Sequence, residues 1–101
     1  MKITKTDKKG IDFIKSFEGL KLKPYLCGAN VPTIGYGTTI YPNGRKVSLN
    51  DVSITEKDAE AFLIRDLDFF EKQVDSFTTD AVNQNQFNAL VSFAYNLGGI
   101  S

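Results

Sequence analysis

Glu18, Cys27 and Thr33 bring an acid, a thiol and a hydroxyl close together, separated by eight and then five intervening residues. Glycines surround them: Phe17-Glu18-Gly19 on one side, Thr33-Ile34-Gly35-Tyr36-Gly37 on the other. The acid falls where a helix should end, and the thiol and hydroxyl fall where strands should run. Such an arrangement points three side chains of different acidity into one cleft. A carboxylate on the apolar side of a helix loses solvation, and the C-terminal end of the helix adds negative potential. Both effects favour the neutral acid. A carboxyl still protonated near neutral pH is what a leaving alkoxide needs as general acid. A structural ion pair or helix cap is the competing reading of Glu18.

The other residues say less one by one. Lone cysteines are usually small buried hydrophobes, and the chain has no His to activate Cys27 as a nucleophile. Thr33 fits an ordinary strand position. Gly35 and Gly37 alternate within a β-like run, which suggests close approach by another backbone segment or by a ligand, or else a bulge or tight corner.

The elements that must position these groups follow from period and punctuation. Thr6 or Asp7 caps a first helix running to Glu18, with Gly19 as a left-handed terminator. Ile11, Ile14 and Glu18 share one face, Phe13 and Phe17 widen the apolar stripe, and Gly10 weakens the first turn. Residues 20–47 change to strand-like alternation, with Pro24 and Pro32 at irregular strand starts. Pro42-Asn43-Gly44 reads as a turn between Thr38–Tyr41 and Arg45–Val47, giving a small antiparallel sheet of two or three short strands. Thr55 with Asp58 resembles a capping box, opening a long helix through Ala59, Phe62, Leu63, Leu67, Phe70, Val74 and Phe77. Asn83 with Gln86 caps a last helix ending at Gly98-Gly99. Phe87, Leu90, Val91, Ala94 and Leu97 form its stripe, while Ala89, Phe93 and Tyr95 cover much of the rest. A helix apolar nearly all round belongs inside a protein, so this one is expected to be covered by another chain or to belong to something longer.

Composition bounds the class. A chain of 101 residues with 42% apolar residues, eight Phe and four Tyr suits one modest globular domain. One cysteine excludes an internal disulfide framework, and the lack of His and of any Cys cluster argues against a structural metal site. Net charge is zero but unevenly placed: residues 1–23 hold seven lysines against three acids, and residues 51–80 nine acids against three bases. Overall neutrality argues against a dedicated nucleic-acid binder, although the basic N-terminal face could contact an anionic polymer. The N-terminus lacks a signal-peptide run, and Phe87–Leu97 is too short to insert in a membrane, so synthesis in the cytoplasm is expected.

Together, Phe-Glu-Gly, the two spacings and Thr-Ile-Gly-Tyr-Gly resemble the active-site segment of the phage-type lysozymes, or endolysins, of glycoside hydrolase family 24. The family has Asp or Cys at the middle position. Residues 83–98, Asn-Gln-Asn-Gln-Phe-Asn-Ala-Leu-Val-Ser-Phe-Ala-Tyr-Asn-Leu-Gly, are similar to the central helix of the family's C-terminal lobe. The resemblance implies an α+β lysozyme-like fold: an N-terminal lobe with a small sheet over residues 1–54, a connecting helix over 55–77, and the start of a helical lobe over 80–101. It implies a muramidase that cuts the β-1,4 bond between N-acetylmuramic acid and N-acetylglucosamine in peptidoglycan glycan strands, without a cofactor, during phage lysis of a bacterial host. Since no export segment is visible, reaching the wall would need a separate membrane-permeabilising factor.

On this resemblance Glu18 is the general acid, and Cys27 and Thr33 position or activate a water. Cys27 is a poorer base than Asp as a thiol, but serves as base or nucleophile as a thiolate. Gly35, Gly37, Tyr95 and Asn96 would line the cleft, with Tyr95 suited to stacking on a sugar or else to a plain core role. Thr38 stands where many members have His. The family's further helices, which supply a cleft wall and a basic partner for the acid, have no counterpart after Gly99. A truncated remnant without activity, a glycan-binding module, or a chain that self-associates through its last helix are the rival expectations.

Overall fold

A computed structural model of the chain describes residues 2–79 and 81–98. Three helices and one two-stranded sheet follow in the order α1 (Lys8–Glu18), β1 (Lys21–Leu26), β2 (Pro32–Gly35), α2 (Glu56–Phe77) and α3 (Gln84–Gly98). The fold is α+β, a small antiparallel sheet with helices, as expected. Among the described residues no helix is long and apolar enough to cross a membrane.

Capping residues set the helix starts. The Asp7 carboxylate accepts from the Gly10 N–H at 3.0 Å and opens α1. In α2 the Thr55 hydroxyl accepts from the Asp58 N–H while the Asp58 carboxylate accepts from the Thr55 N–H, the reciprocal pair expected. Asn83 and Gln86 make the same exchange before α3, at 2.8 and 3.0 Å. Gly19 ends α1 with φ 75° and ψ 158°, so it has the positive φ that favours glycine but an extended ψ rather than the left-handed helical one. The expected terminator Gly99 lies outside the described residues.

The core lies where the helices meet. Ile14 of α1, Leu63, Leu67 and Val74 of α2, and Phe87 and Val91 of α3 are at most 1% exposed. Phe13 and Phe17, expected to widen the buried stripe of α1, are instead exposed. They sit about 100° round the helix from Ile14 and Glu18, on a face that the other elements do not cover. On α3, Phe87, Val91 and Tyr95 are buried, while Phe93 and Leu97 stand exposed one turn apart. Gly10 does more than weaken a turn. A Cβ there would lie 2.5 Å from both Asn88 Cγ and Thr6 Cγ2, so its small size lets α3 approach α1.

The sheet is smaller than the β-propensities suggest. β1 and β2 pair antiparallel with Tyr25 opposite Thr33 and Leu26 opposite Pro32, and the register shifts between Lys21 and Tyr25. Pro24 lies inside β1 within that irregular stretch, and Pro32 starts β2. Thr38–Tyr41 and Arg45–Val47 are not strands and share one bridge, Ile40 with Lys46. The reason is local. Gly35 and Gly37, at φ 71° and 112°, reverse the chain so that Ile34 and Thr38 exchange both backbone hydrogen bonds at 2.9 Å. Asp51 then gathers the loop, accepting from the Ser48 N–H, the Tyr41 hydroxyl and Arg45. The Ser48 N–H, then Tyr41 and Arg45, lower its pKa to about 2.

Candidate active site

Glu18 is the last residue of α1 and is half-buried. Among the described residues no cation pairs with it. Burial therefore acts on the carboxyl without compensation and raises its pKa above the ordinary Glu value. A methyl group added at Gly37 would sit 2.9 Å from the Tyr95 hydroxyl and 3.7 Å from Glu18 Oε1. Gly37 thus leaves open the space that both oxygens face.

Cys27 follows β1 at the start of a tight reversal. Its N–H donates to Val31 O at 3.2 Å, its carbonyl accepts from the Asn30 N–H at 2.9 Å, and Asn30 adopts φ 61°. The N–H groups of Ala29 and Val31 belong to this loop. They, and then the Thr33 hydroxyl, lower the thiol pKa. Thr33 is buried on β2 and donates its hydroxyl proton to Val31 O at 2.8 Å. One proton serves one acceptor, so turning towards a Cys27 thiolate means releasing that carbonyl.

The structure brings Glu18, Cys27 and Thr33 around a residue the sequence reading passed over. Tyr25 is half-buried, and burial, then the charges of Cys27 and Glu18, raise its pKa. The signal was available: Tyr25 and Cys27 are two residues apart on an extended segment and so lie on one side of it.

Two expectations about the cleft lining need correction. The close approach that Gly35 permits is to α2, where an added Cβ would meet Ala59 Cβ at 3.3 Å; it packs the sheet on the helix rather than facing a ligand. Tyr95 is 4% exposed, donates its hydroxyl to Tyr36 O at 2.8 Å and meets the Phe70 ring edge-on at 5.5 Å. Its ring is core, not free for sugar stacking, and burial, then the charges of Asp66 and Glu18, raise its pKa. Asn96, the next residue of α3, is half-buried.

A second acid also escaped notice. Thr38 donates to Asp66 Oδ2 at 2.8 Å, and Asp66 lines a cavity of about 520 Å³ with Gly37, Tyr95 and Phe70. Asp66 is three residues after Leu63 and four before Phe70, a placement that puts it on the apolar stripe of α2. Burial raises its pKa despite the Thr38 hydrogen bond and the Arg65 charge 2.9 Å away. A raised folded pKa means that the fold disfavours the ionised form. The penalty is present at neutral pH and is relieved as pH falls through the folded value. Asp66→Asn, whose amide oxygen still accepts from Thr38, should therefore raise the melting temperature at pH 7. That advantage should shrink on acidification and vanish below the unfolded Asp value of about 3.9.

With a half-buried acid, a polarised thiol and a glycine-lined opening on a lysozyme-like scaffold, the comparison with known proteins is direct. The phage lysozyme family matches residues 15–101, and the chain belongs to it. It is 49% identical over 94 residues to the endolysin of Bacillus phage PZA, covering 88% of this chain and 33% of that protein. The endolysin from Escherichia coli O157:H7 phage FAHEc1 superposes with a TM-score of 0.86 at 42% identity, covering 95% of this chain and 59% of that one. The muramidase domain of SpmX from Asticaccaulis excentricus superposes with a TM-score of 0.74 at 35% identity, covering 94% and 60% respectively. The chain thus spans between a third and three-fifths of the length of these proteins.

Proposed function

We propose that the chain hydrolyses the β-1,4 bond between N-acetylmuramic acid and N-acetylglucosamine in peptidoglycan, as a phage enzyme acting on the bacterial wall. The observation that carries this reading is the half-buried Glu18, with no cation partner among the described residues, facing the opening left by Gly37. In its protonated form, which burial favours, it donates its proton to the glycosidic oxygen as the bond to the leaving sugar breaks. Cys27 and Thr33 hold a water on the opposite face of the ring. The N–H groups of Ala29 and Val31 favour the Cys27 thiolate, which takes the proton of that water as it attacks. Attack by water rather than by a protein group inverts the anomeric centre. In this scheme residues 1–54 form the catalytic lobe, residues 55–77 the connecting helix, and α3 the floor of the cleft.

The muramidase domain among the structural relatives supports the bond assignment, and the two endolysins support a role in lysis. The test is incubation of the purified chain with peptidoglycan strands, counting new reducing ends and reading their anomeric configuration by NMR before mutarotation. Release of inverted muramic-acid ends is expected; absence of new reducing ends would remove the activity, and retained ends would remove the water-attack scheme.

The exposed side chains favour a second reading alongside the first. Phe13 and Phe17 on α1, and Phe93 and Leu97 on α3, form two stripes, and Phe13 shares a groove with Ala89 of α3. We propose that a second copy of the chain covers these stripes. Light scattering across a concentration series should show a dimer, and a strictly monomeric folded species would remove this second reading.

A further inference from the structure

Asn88 stands out on α3 as a polar residue only 8% exposed, beside the buried stripe of Phe87, Val91 and Tyr95. Both ends of its amide are engaged. Nδ2 donates to Asp7 Oδ1 at 2.8 Å, and Oδ1 accepts from Gln84 Nε2 at 2.9 Å and from the Asp7 N–H at 3.4 Å. Asp7 is the residue that caps α1, through the same Oδ1 that accepts from Gly10. Asn88 therefore grips the cap itself, and Gly10 lets it come close.

Seven residues along α3, on the same face, the Tyr95 hydroxyl donates to Tyr36 O beside Gly37, where an added Cβ would also lie 3.7 Å from Glu18 Oε1 at the end of α1. Asn88 to Tyr95 spans about 10.5 Å of helix rise and Gly10 to Glu18 about 12 Å, so the two stretches are of similar length. Ile14 and Val91 fill the core between these two contacts. An apolar seam alone tolerates sliding by fractions of a turn, whereas a two-point amide–carboxylate contact does not. Sliding or tilt at the Asp7 end of so short a rod carries Glu18 with it, because Gly19 releases the chain immediately beyond.

We propose that Asn88 is a positioning residue for Glu18: its grip on the Asp7 cap sets the register of α1 against α3 and thereby places the carboxyl against Gly37 and Tyr95. The catalytic part of this inference rests on the reading of Glu18 as general acid; the positional part does not.

The test follows the Glu18 carboxyl by carbon-13 NMR through a pH titration, together with kcat and KM on peptidoglycan fragments. Asn88→Ala should move the Glu18 titration down towards the ordinary carboxylate value. It should also lower kcat roughly tenfold or more, with KM little changed, as misplacement of a reacting group does. Asn88→Asp, which sets two carboxylates against each other, should do the same. Adding Asp7→Asn to Asn88→Asp restores a donor–acceptor pair in the opposite sense, and should return both the titration and kcat towards the wild-type values. Val74→Ala, chosen for comparable loss of stability at a remote core site, should leave the Glu18 titration in place. An unmoved titration in Asn88→Asp, or no recovery in the exchanged pair, would overturn the proposal. If the wild-type chain cuts no glycan while the titration still follows the exchange, the positional coupling stands and the proposed activity falls.

Discussion

Glu18→Gln is expected to lower kcat on peptidoglycan by at least about 10²-fold with KM little changed, the usual range for loss of a general acid. Glutamine keeps the shape and the half-buried site but has no proton to give to a departing alkoxide. The same substitution should act on stability with the opposite sign. Burial raises the Glu18 pKa, so the folded state disfavours the carboxylate at neutral pH. By linkage that penalty is present above the folded pKa and disappears as pH falls through it. The amide removes it, so Glu18→Gln should melt higher than wild type near pH 7 and lose its advantage in acid. An activity-dead, stabilised variant is the signature of an acid kept for chemistry; a structural ion pair or cap would instead be destabilised by the change. Rates by reducing-end release and melting by circular dichroism, on one preparation, read both halves.

Phe87→Ala should be the most damaging single change to the fold. Phe87 is fully buried and is the largest of the wholly enclosed side chains, in the core shared by all three helices. Truncation of a buried Phe typically costs about 3–5 kcal/mol from lost transfer energy and the cavity left behind. A domain of this length has a total stability of about 5–15 kcal/mol, so a fifth or more of it is at stake. The urea midpoint should fall sharply with an unchanged slope, because the surface exposed on unfolding is nearly the same. A shift no larger than that of an exposed-site control such as Val52→Ala would contradict the assigned core, since Val52 is 82% exposed.

Helix starts were legible because capping is written in neighbouring residues: Asp7 with Gly10, Thr55 with Asp58, Asn83 with Gln86. The half-burial of Glu18 was legible from its shared face with Ile14. That Phe13 and Phe17 would stay exposed was not, because periodicity names an apolar stripe without saying how wide a neighbour covers it. Thr38–Val47 carried strand composition and a strong turn signal, yet the reversal at Gly35–Gly37 returned Thr38 to Ile34 and left one bridge. Gly35 was recognised as a site of close approach, but only the fold shows that the approaching atom is Ala59. Tyr95 carried both a stacking and a core reading, and its hydroxyl bond to Tyr36 O decides for the core. The hydrogen bond between Asn88 and Asp7 joins residues 81 positions apart, a pairing that no local pattern encodes.

On the proposed mechanism, an acid whose protonated form burial favours, and not merely a lysozyme-like shape, acts on the glycan. The most direct test of that mechanism superimposes two curves from the same chain: the pH dependence of kcat for reducing-end release and the NMR titration of the Glu18 carboxyl in the substrate-bound protein. The descending limb of the rate is predicted to coincide with the loss of the Glu18 proton, above the ordinary carboxylate range. Glu18 titrating at an ordinary value, or a rate that persists after its proton has gone, would contradict it.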